Sequence, residues 1–205
     1  MSIANWNANA YYLIGDYVYD GSTNYYYAIA NNRNDPPPSP SWALVQTGTF
    51  GTPSYGEFVS NTTQLLPATA QTLLTLDAKN LGTPDVILTG PAPTPSVRVN
   101  TTGVYRVVYS AQLEKLGGGG TDEIQLWFAV NGVNVPNTNS KVDISQQTNL
   151  VMTVESFFSL NAGDTIGLVG YTPVGAVQCA VVAIPVDANH PVAVPSIILN
   201  VQRIA

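Results

Sequence analysis

The sequence predicts an all-β protein in which a small aromatic-rich N-terminal module precedes a β-sandwich. Three observations carry that reading. Apolar and polar residues alternate along several stretches: Tyr105, Val107, Tyr109, Ala111 and Leu113 fall on one side of an extended chain, and Arg106, Ser110, Gln112 and Glu114 on the other, the period of a half-buried strand. Glycine, proline and asparagine turn signals recur between these stretches. No segment makes a convincing helix: residues 69–81 could place Leu73, Leu76 and Leu81 partly on one helical face, but the surrounding β pattern outweighs it.

Composition bounds the function. The 205 residues, 21.7 kDa, suit one sandwich of ordinary size and a small module. Only 10% of residues are charged while 45% are hydrophobic, against about a quarter charged in an average soluble protein. That deficit fits a subunit that buries outer surface against copies of itself or other proteins; a sparsely charged extracellular protein is the alternative. A net charge of −6 and a pI near 4.4 leave no basic stripe for phosphates, so no nucleic-acid partner is expected. The single cysteine, Cys179, lies in the apolar run CAVVAIPV and reads as a small buried hydrophobe without a disulfide partner. The N-terminal stretch MSIANWNANAYYLIG has no basic start followed by an apolar core. No run approaches the roughly 18 to 20 apolar residues of a membrane span, so neither a recognisable signal nor a membrane partner is expected.

Residues 1–47 concentrate tryptophan and tyrosine. Turn signals at Gly15-Asp16 and Asp20-Gly21 and a proline cluster at 36–40 cut them into pieces that fit three short strands. A unit this small cannot bury a large aliphatic core, so some of its aromatics must be its packing. The order Trp6, Tyr12, Gly15-Asp16, Val18, Gly21, Tyr26-x-Ala28, a proline cluster, then Trp42 and Val45 resembles the chitin-binding carbohydrate modules of families 5 and 12. The resemblance implies a small twisted antiparallel sheet that stacks flat rings against sugars. It makes Trp42, the closing tryptophan, the first candidate for a carbohydrate contact, with Tyr27 and Tyr25 next. The alternative is that these rings form the module's core or dock it on a neighbouring protein. Trp6 reads as structural. Where such modules carry an exposed tryptophan pair after the Tyr-x-Ala element, this chain has Ala30 and Asn31, which removes half of the implied platform.

Residues 48–56 read as a Gly/Thr/Pro/Ser connector, and 57–205 as the second domain. Strand-like pieces follow over 57–66, 72–76, 86–88 and 96–99, then the alternating strand through Tyr105–Glu114. After the turn Gly117–Gly120 come Ile124, Leu126, Phe128 and Val130 in alternation, ending at Asn131-Gly132, a hairpin dipeptide that needs positive φ. Met152, Val154, Phe158 and Leu160 alternate with Thr153, Glu155, Phe157 and Ser159. The turn Asn161–Asp164 leads into a strand at 165–169, and residues 195–204 form the last.

The phrases GVYRVVYSAQL, IQLWFAVNGVNVPNT, FFSLNAGDTIGL and SIILNVQRI resemble, in that order, the jelly-roll domains of the complement-component and tumour-necrosis-factor superfamily, over roughly 57–205. The resemblance implies a ten-strand jelly-roll β-sandwich that assembles as a homotrimer through one broad apolar flank. Wording of this kind is similar to that of surface or fibre-head proteins of large DNA viruses and phages.

Catalytic and metal chemistry is sparse. His190 is the only histidine, in the loop-like Asp187-Ala188-Asn189-His190-Pro191, and no nucleophile-elbow motif accompanies it. One histidine and one cysteine cannot build a zinc cluster, and the aspartate turns lack calcium-loop spacing. Gly117–Gly120 is followed by neither Lys-Ser/Thr nor a helix, so it is a flexible turn and no phosphate loop. The resulting expectation is a non-enzymatic structural protein at the virion surface, a minor capsid, spike or fibre-head subunit, with no cofactor and no metal. Its partners would be itself, other capsid proteins and a cell-wall polysaccharide such as chitin. The alternative is a secreted or phage-tail-associated glycan-binding adhesin.

Overall fold

The computed structural model describes residues 4–21, 24–47, 54–146, 148–173 and 178–204. The chain forms two compact units, Met1–Thr52 and Pro53–Ala205. No helix forms among the described residues, and the segment with a helical alternative is strand and turn.

The first unit contains β1 (Ala4–Asn5), β2 (Tyr11–Tyr12), β3 (Tyr17–Tyr19), β4 (Asn24–Ala28), β5 (Asn32–Arg33) and β6 (Trp42–Thr47). Instead of three strands it has a four-stranded sheet in the order β1-β3-β4-β6, with β2 and β5 pairing separately. The extra pieces are two residues long, too short to leave a periodic trace in sequence. Gly15 and Gly21 take φ of 94° and 83° at the turns flanking β3, which a side chain would resist. Alternation along β3 and β4 turns Val18, Tyr26 and Ala28 inward, where they meet Tyr12 and Trp42, with Trp6 packed against the group.

The second unit begins with β7 (Tyr55–Ser60), so Tyr55 and Gly56, read as connector, are strand. It continues through β8 (Gln64–Leu66), β9 (Thr72–Leu74), β10 (Ala78–Gly82), β11 (Val86–Leu88) and β12 (Ser96–Val99). The central strands are β13 (Gly103–Lys115), β14 (Thr121–Val130), β15 (Val133–Asn134), β16 (Ser140–Ser145) and β17 (Asn149–Leu160). The last are β18 (Thr165–Tyr171), β19 (Cys179–Val181) and β20 (Ile197–Arg203).

One sheet runs β10-β7-β20-β13-β17, with β19 and β8 prolonging it beside the end of β13. The other runs β11-β12-β18-β14-β16, with β9 beside β18 and β15 beside β14. From β12 the chain crosses to β13, back to β14 and β16, over to β17, back to β18 and over to β20. That winding is a jelly roll. Gly117–Gly120 therefore joins strands of opposite sheets. Asn131 and Gly132 have φ of 52° and 77° and close the β14–β15 hairpin as their dipeptide requires.

Between the sheets, inward residues of β13 meet those of β14 and β17. The rings of Tyr109 and Phe128 lie edge to face at 5.1 Å, and those of Phe128 and Phe158 at 5.2 Å. Tyr109 donates its hydroxyl to Met152 Sδ at 3.5 Å, and burial pushes its pKa well up. Cys179 is buried in this core, and desolvation raises its thiol pKa.

Candidate functional site

Trp42, the first candidate for a sugar contact, is only 6% exposed. The sheet places it opposite Ala28, whose methyl leaves room for an indole. Its ring meets Tyr12 edge to face at 5.1 Å, and Nε1–H donates to the Asp35 carbonyl at 2.7 Å. Asp35 itself is fixed by a bond from Ser39 Oγ at 2.7 Å, and serine hydroxyls, Ser41 foremost, hold its carboxyl below the usual range. A ring so enclosed cannot offer a flat face to a saccharide. The platform role therefore does not belong to Trp42, and the physical reason is the one a small unit imposes: its largest ring is needed inside.

Tyr27 lies on the opposite face. It is 36% exposed, and its cross-strand partner Tyr17 is 47% exposed. Their rings lie 6.0 Å apart at an interplanar angle of 33°, nearly side by side on the outside of the module. Tyr25 belongs to β4 and pairs with Tyr19; its side chain lies outside the described ones. Sequence reasoning missed Tyr17. Strand parity carries the signal, since Val18 inward forces Tyr17 outward, and antiparallel pairing then sets it beside Tyr27. The pair offers two adjacent apolar ring faces with hydroxyls at their rims, a surface suited to C–H groups of a sugar ring.

In the sandwich, the outward face of the β20-β13-β17 layer is mixed. Phe157 is 58% exposed and Val151 is also exposed, with Ile198 and Val108 half-buried nearby. Arg106 pairs with Glu155 at 2.6 Å on the same face. The expected flank is thus apolar only in part, because its outward apolar residues alternate with polar and charged ones, Arg106 and Glu155 among them. Among the described residues β17 pairs with β13 alone, so its 12 residues form a long open edge.

His190 Nδ1 lies 2.9 Å from Asp187 Oδ1 in an exposed turn, where the same oxygen accepts the backbone N–H groups of Asn189 and His190. Those bonds hold the Asp187 carboxyl below its usual range. Among the described residues no serine, threonine or cysteine is bonded to His190, and no three acidic, imidazole or thiol side chains gather as a metal site.

No protein-family model matches the sequence, and no curated protein sequence matches it. Solved structures similar in chain path include the globular domain of the zebrafish complement 1qA protein. It is 16% identical, with 74% of this chain and 98% of that chain covered and a TM-score of 0.47. Murine APRIL is 13% identical, with 75% and 100% covered and the same TM-score. The likeness is one of fold.

Proposed function

We propose that the protein is a non-enzymatic structural subunit of a virus particle, a minor capsid, spike or fibre-head component displayed at the virion surface. In this reading the jelly roll assembles as a homotrimer, contacts other capsid proteins, and carries an aromatic module that grips a host cell-wall polysaccharide such as chitin. The observation that carries it is the outward face of β13, β17 and β20. A sheet face bearing Phe157, Val151 and Ile198 beside a long open edge, in a chain with 10% charged residues, fits burial against a second copy. Three weak glycan sites on one trimer would then act together through effective concentration.

Sedimentation of the full chain tests assembly: Phe157→Glu shifts a trimer to monomer, and a native chain that is monomeric at high dilution and high concentration alike overturns the reading. Immunogold labelling of purified particles tests the location. The adhesin alternative is favoured by the Tyr17–Tyr27 pair. Retention on insoluble chitin that falls at least tenfold in a Tyr17→Ala/Tyr27→Ala variant, from a protein absent from particles, would support it over the structural role.

A further inference from the structure

The outer face of the second sheet carries a feature that neither assembly nor the tyrosine pair uses. A sheet face turned away from the core is ordinarily polar, yet Trp127, Ala129 and Val169 are buried there as a small cluster of their own, with Tyr171 packed against it. The β15–β16 connection is pinned beside them. Val135 N–H donates to the Phe128 carbonyl at 3.0 Å, and Thr138 Oγ1 accepts Phe128 N–H at 3.2 Å while donating to the Val135 carbonyl at 2.8 Å. Asn137, at φ 63°, turns the loop.

The result is a groove of about 400 Å³ whose wall is Trp127, Tyr171, Val135 and Pro136 and whose rim is amide: Gln71, Gln125, Asn134, Asn137 and Asn139. That volume lies at the small end of ligand sites, about 300–1,000 Å³. The rim is pre-organised. Asn134 Nδ2 donates to Gln71 Oε1 at 3.0 Å, and Asn139 Nδ2 to Gln125 Oε1 at 2.6 Å. Each pair leaves a second donor and acceptor for an incoming group. Among the described residues no carboxylate, ammonium or guanidinium lines the groove. Trp127 is 7% exposed, and its buried indole N–H has no acceptor among the described residues.

We infer that this groove is a second binding site, for a neutral saccharide of one or two residues. Amides place a donor and an acceptor side by side, matching adjacent hydroxyls that each donate and accept. The half-buried Tyr171 ring, backed by Trp127 at 6.3 Å and 51°, forms with Val135 and Pro136 the apolar wall for the C–H side of a sugar. The absence of charge on the lining selects against phosphates and acidic sugars.

The test uses the full chain carrying Tyr17→Ala and Tyr27→Ala, so that the module's surface is silent, with 15N-labelled tryptophan. The three indole N–H signals are assigned with Trp127→Phe, and neutral disaccharides of glucose, mannose, galactose and N-acetylglucosamine are added in turn. At least one of them moves the Trp127 signal, saturably, with a Kd of about 1 mM, while the Trp6 and Trp42 signals stay still. Gln71→Ala and Asn139→Ala each weaken that binding about tenfold, one lost hydrogen bond apiece. The inference fails if no sugar moves the Trp127 signal at about 10 mM, ten times that Kd. It also fails if the movement survives both amide substitutions, or if the signal moves on dilution of the protein instead, which would assign the groove to a contact between copies. None of these outcomes depends on the Tyr17–Tyr27 surface.

Discussion

In the N-terminal unit, Trp42 faces the inside of a four-stranded sheet and gives its N–H to the Asp35 carbonyl at 2.7 Å; in the sandwich, Trp127 sits on the side of its sheet turned away from the core, and its N–H has no acceptor among the described residues. Both rings are shielded from water, yet one is packing and the other lines a groove. Among the described residues the small unit has five buried apolar ones in its core, Tyr12, Val18, Tyr26, Ala28 and Trp42, so its largest ring cannot be spared. In the sandwich the interior is filled by β-branched and leucine side chains with Tyr109, Phe128 and Phe158, and an additional tryptophan can stand outside. An aromatic ring is thus a poor pointer to binding where it is needed for the core and a better one where it is surplus.

The largest effect that would break this contrast is Trp42→Ala. Removing a buried indole costs about 3–5 kcal/mol, enough to unfold a unit with so few buried residues. Amide dispersion from residues 4–47 should collapse while that from the sandwich persists, read by 15N–1H correlation spectra. Retention of a folded module in this variant would mean that the ring is dispensable to packing. A comparable loss in the sandwich follows from disturbing a buried charge. Lys115 is 1% exposed and bridges Asp122 at 2.7 Å and the Gly119 carbonyl at 2.8 Å. Lys115→Ala removes one partner of that pair and should destabilise by about 3–5 kcal/mol, measured as a fall in the denaturant midpoint of the sandwich.

Lys115 also shows what could and could not be read from sequence. The alternation through Tyr105, Val107, Tyr109, Ala111 and Leu113 was legible and continues inward to Lys115, but nothing local says that a lysine there is met by glycine carbonyls and an aspartate seven residues on. The four glycines read as a flexible turn, whereas two of their carbonyls are held by Lys115. Strands at 72–74, 86–88 and 96–99 were visible because turns bracket them; β10 was not, since Ala78–Gly82 carries no period-two contrast. The same asymmetry governs the module. Its aromatic richness was evident, but which ring faces outward depends on pairing between β3 and β4, and on the room Ala28 leaves for Trp42, and these are non-local.

A smaller and sharper comparison is the matched pair Trp42→Phe and Trp127→Phe. Each shortens a ring and removes an N–H. In the first the Asp35 carbonyl loses its donor, so the packing loss is joined by an unmet acceptor worth about 1–3 kcal/mol. In the second no bond is broken and an unpaired donor disappears, so the loss should stay under about 1.5 kcal/mol, as for well-tolerated apolar exchanges. Equal midpoint shifts of the two units in chemical denaturation would show that the two N–H groups are in the same state, against the geometry.

The least of these effects is a response to acid in which the two units can again be told apart. Asp35 organises the turn before Trp42. Asp164 ties two turns of the sandwich together, accepting Asn131 Nδ2 at 2.8 Å and the Asn161 N–H at 2.7 Å. Both carboxyls are held below their ordinary value of 3.8, Asp35 by the Ser41 and Ser39 hydroxyls and Asp164 first by Asn131 and then by the Asn161 backbone. A carboxyl whose folded pKa is depressed stabilises the fold fully above its unfolded value and loses that contribution as pH falls through the folded one. Stability should therefore hold from neutrality to about pH 5 and fall below pH 4, in the window set by an unfolded carboxyl near 3.9. Asp35→Asn should flatten the acid limb of the module alone, and Asp164→Asn that of the sandwich alone, because each substitution removes a titration from one unit and leaves the other's bonds in place. Denaturation midpoints at pH 7 and pH 3, followed separately through Trp42 and Trp127, would read the two limbs. A common response of both units to either substitution would mean that acid acts through the net charge of the whole chain, with these two turns as bystanders.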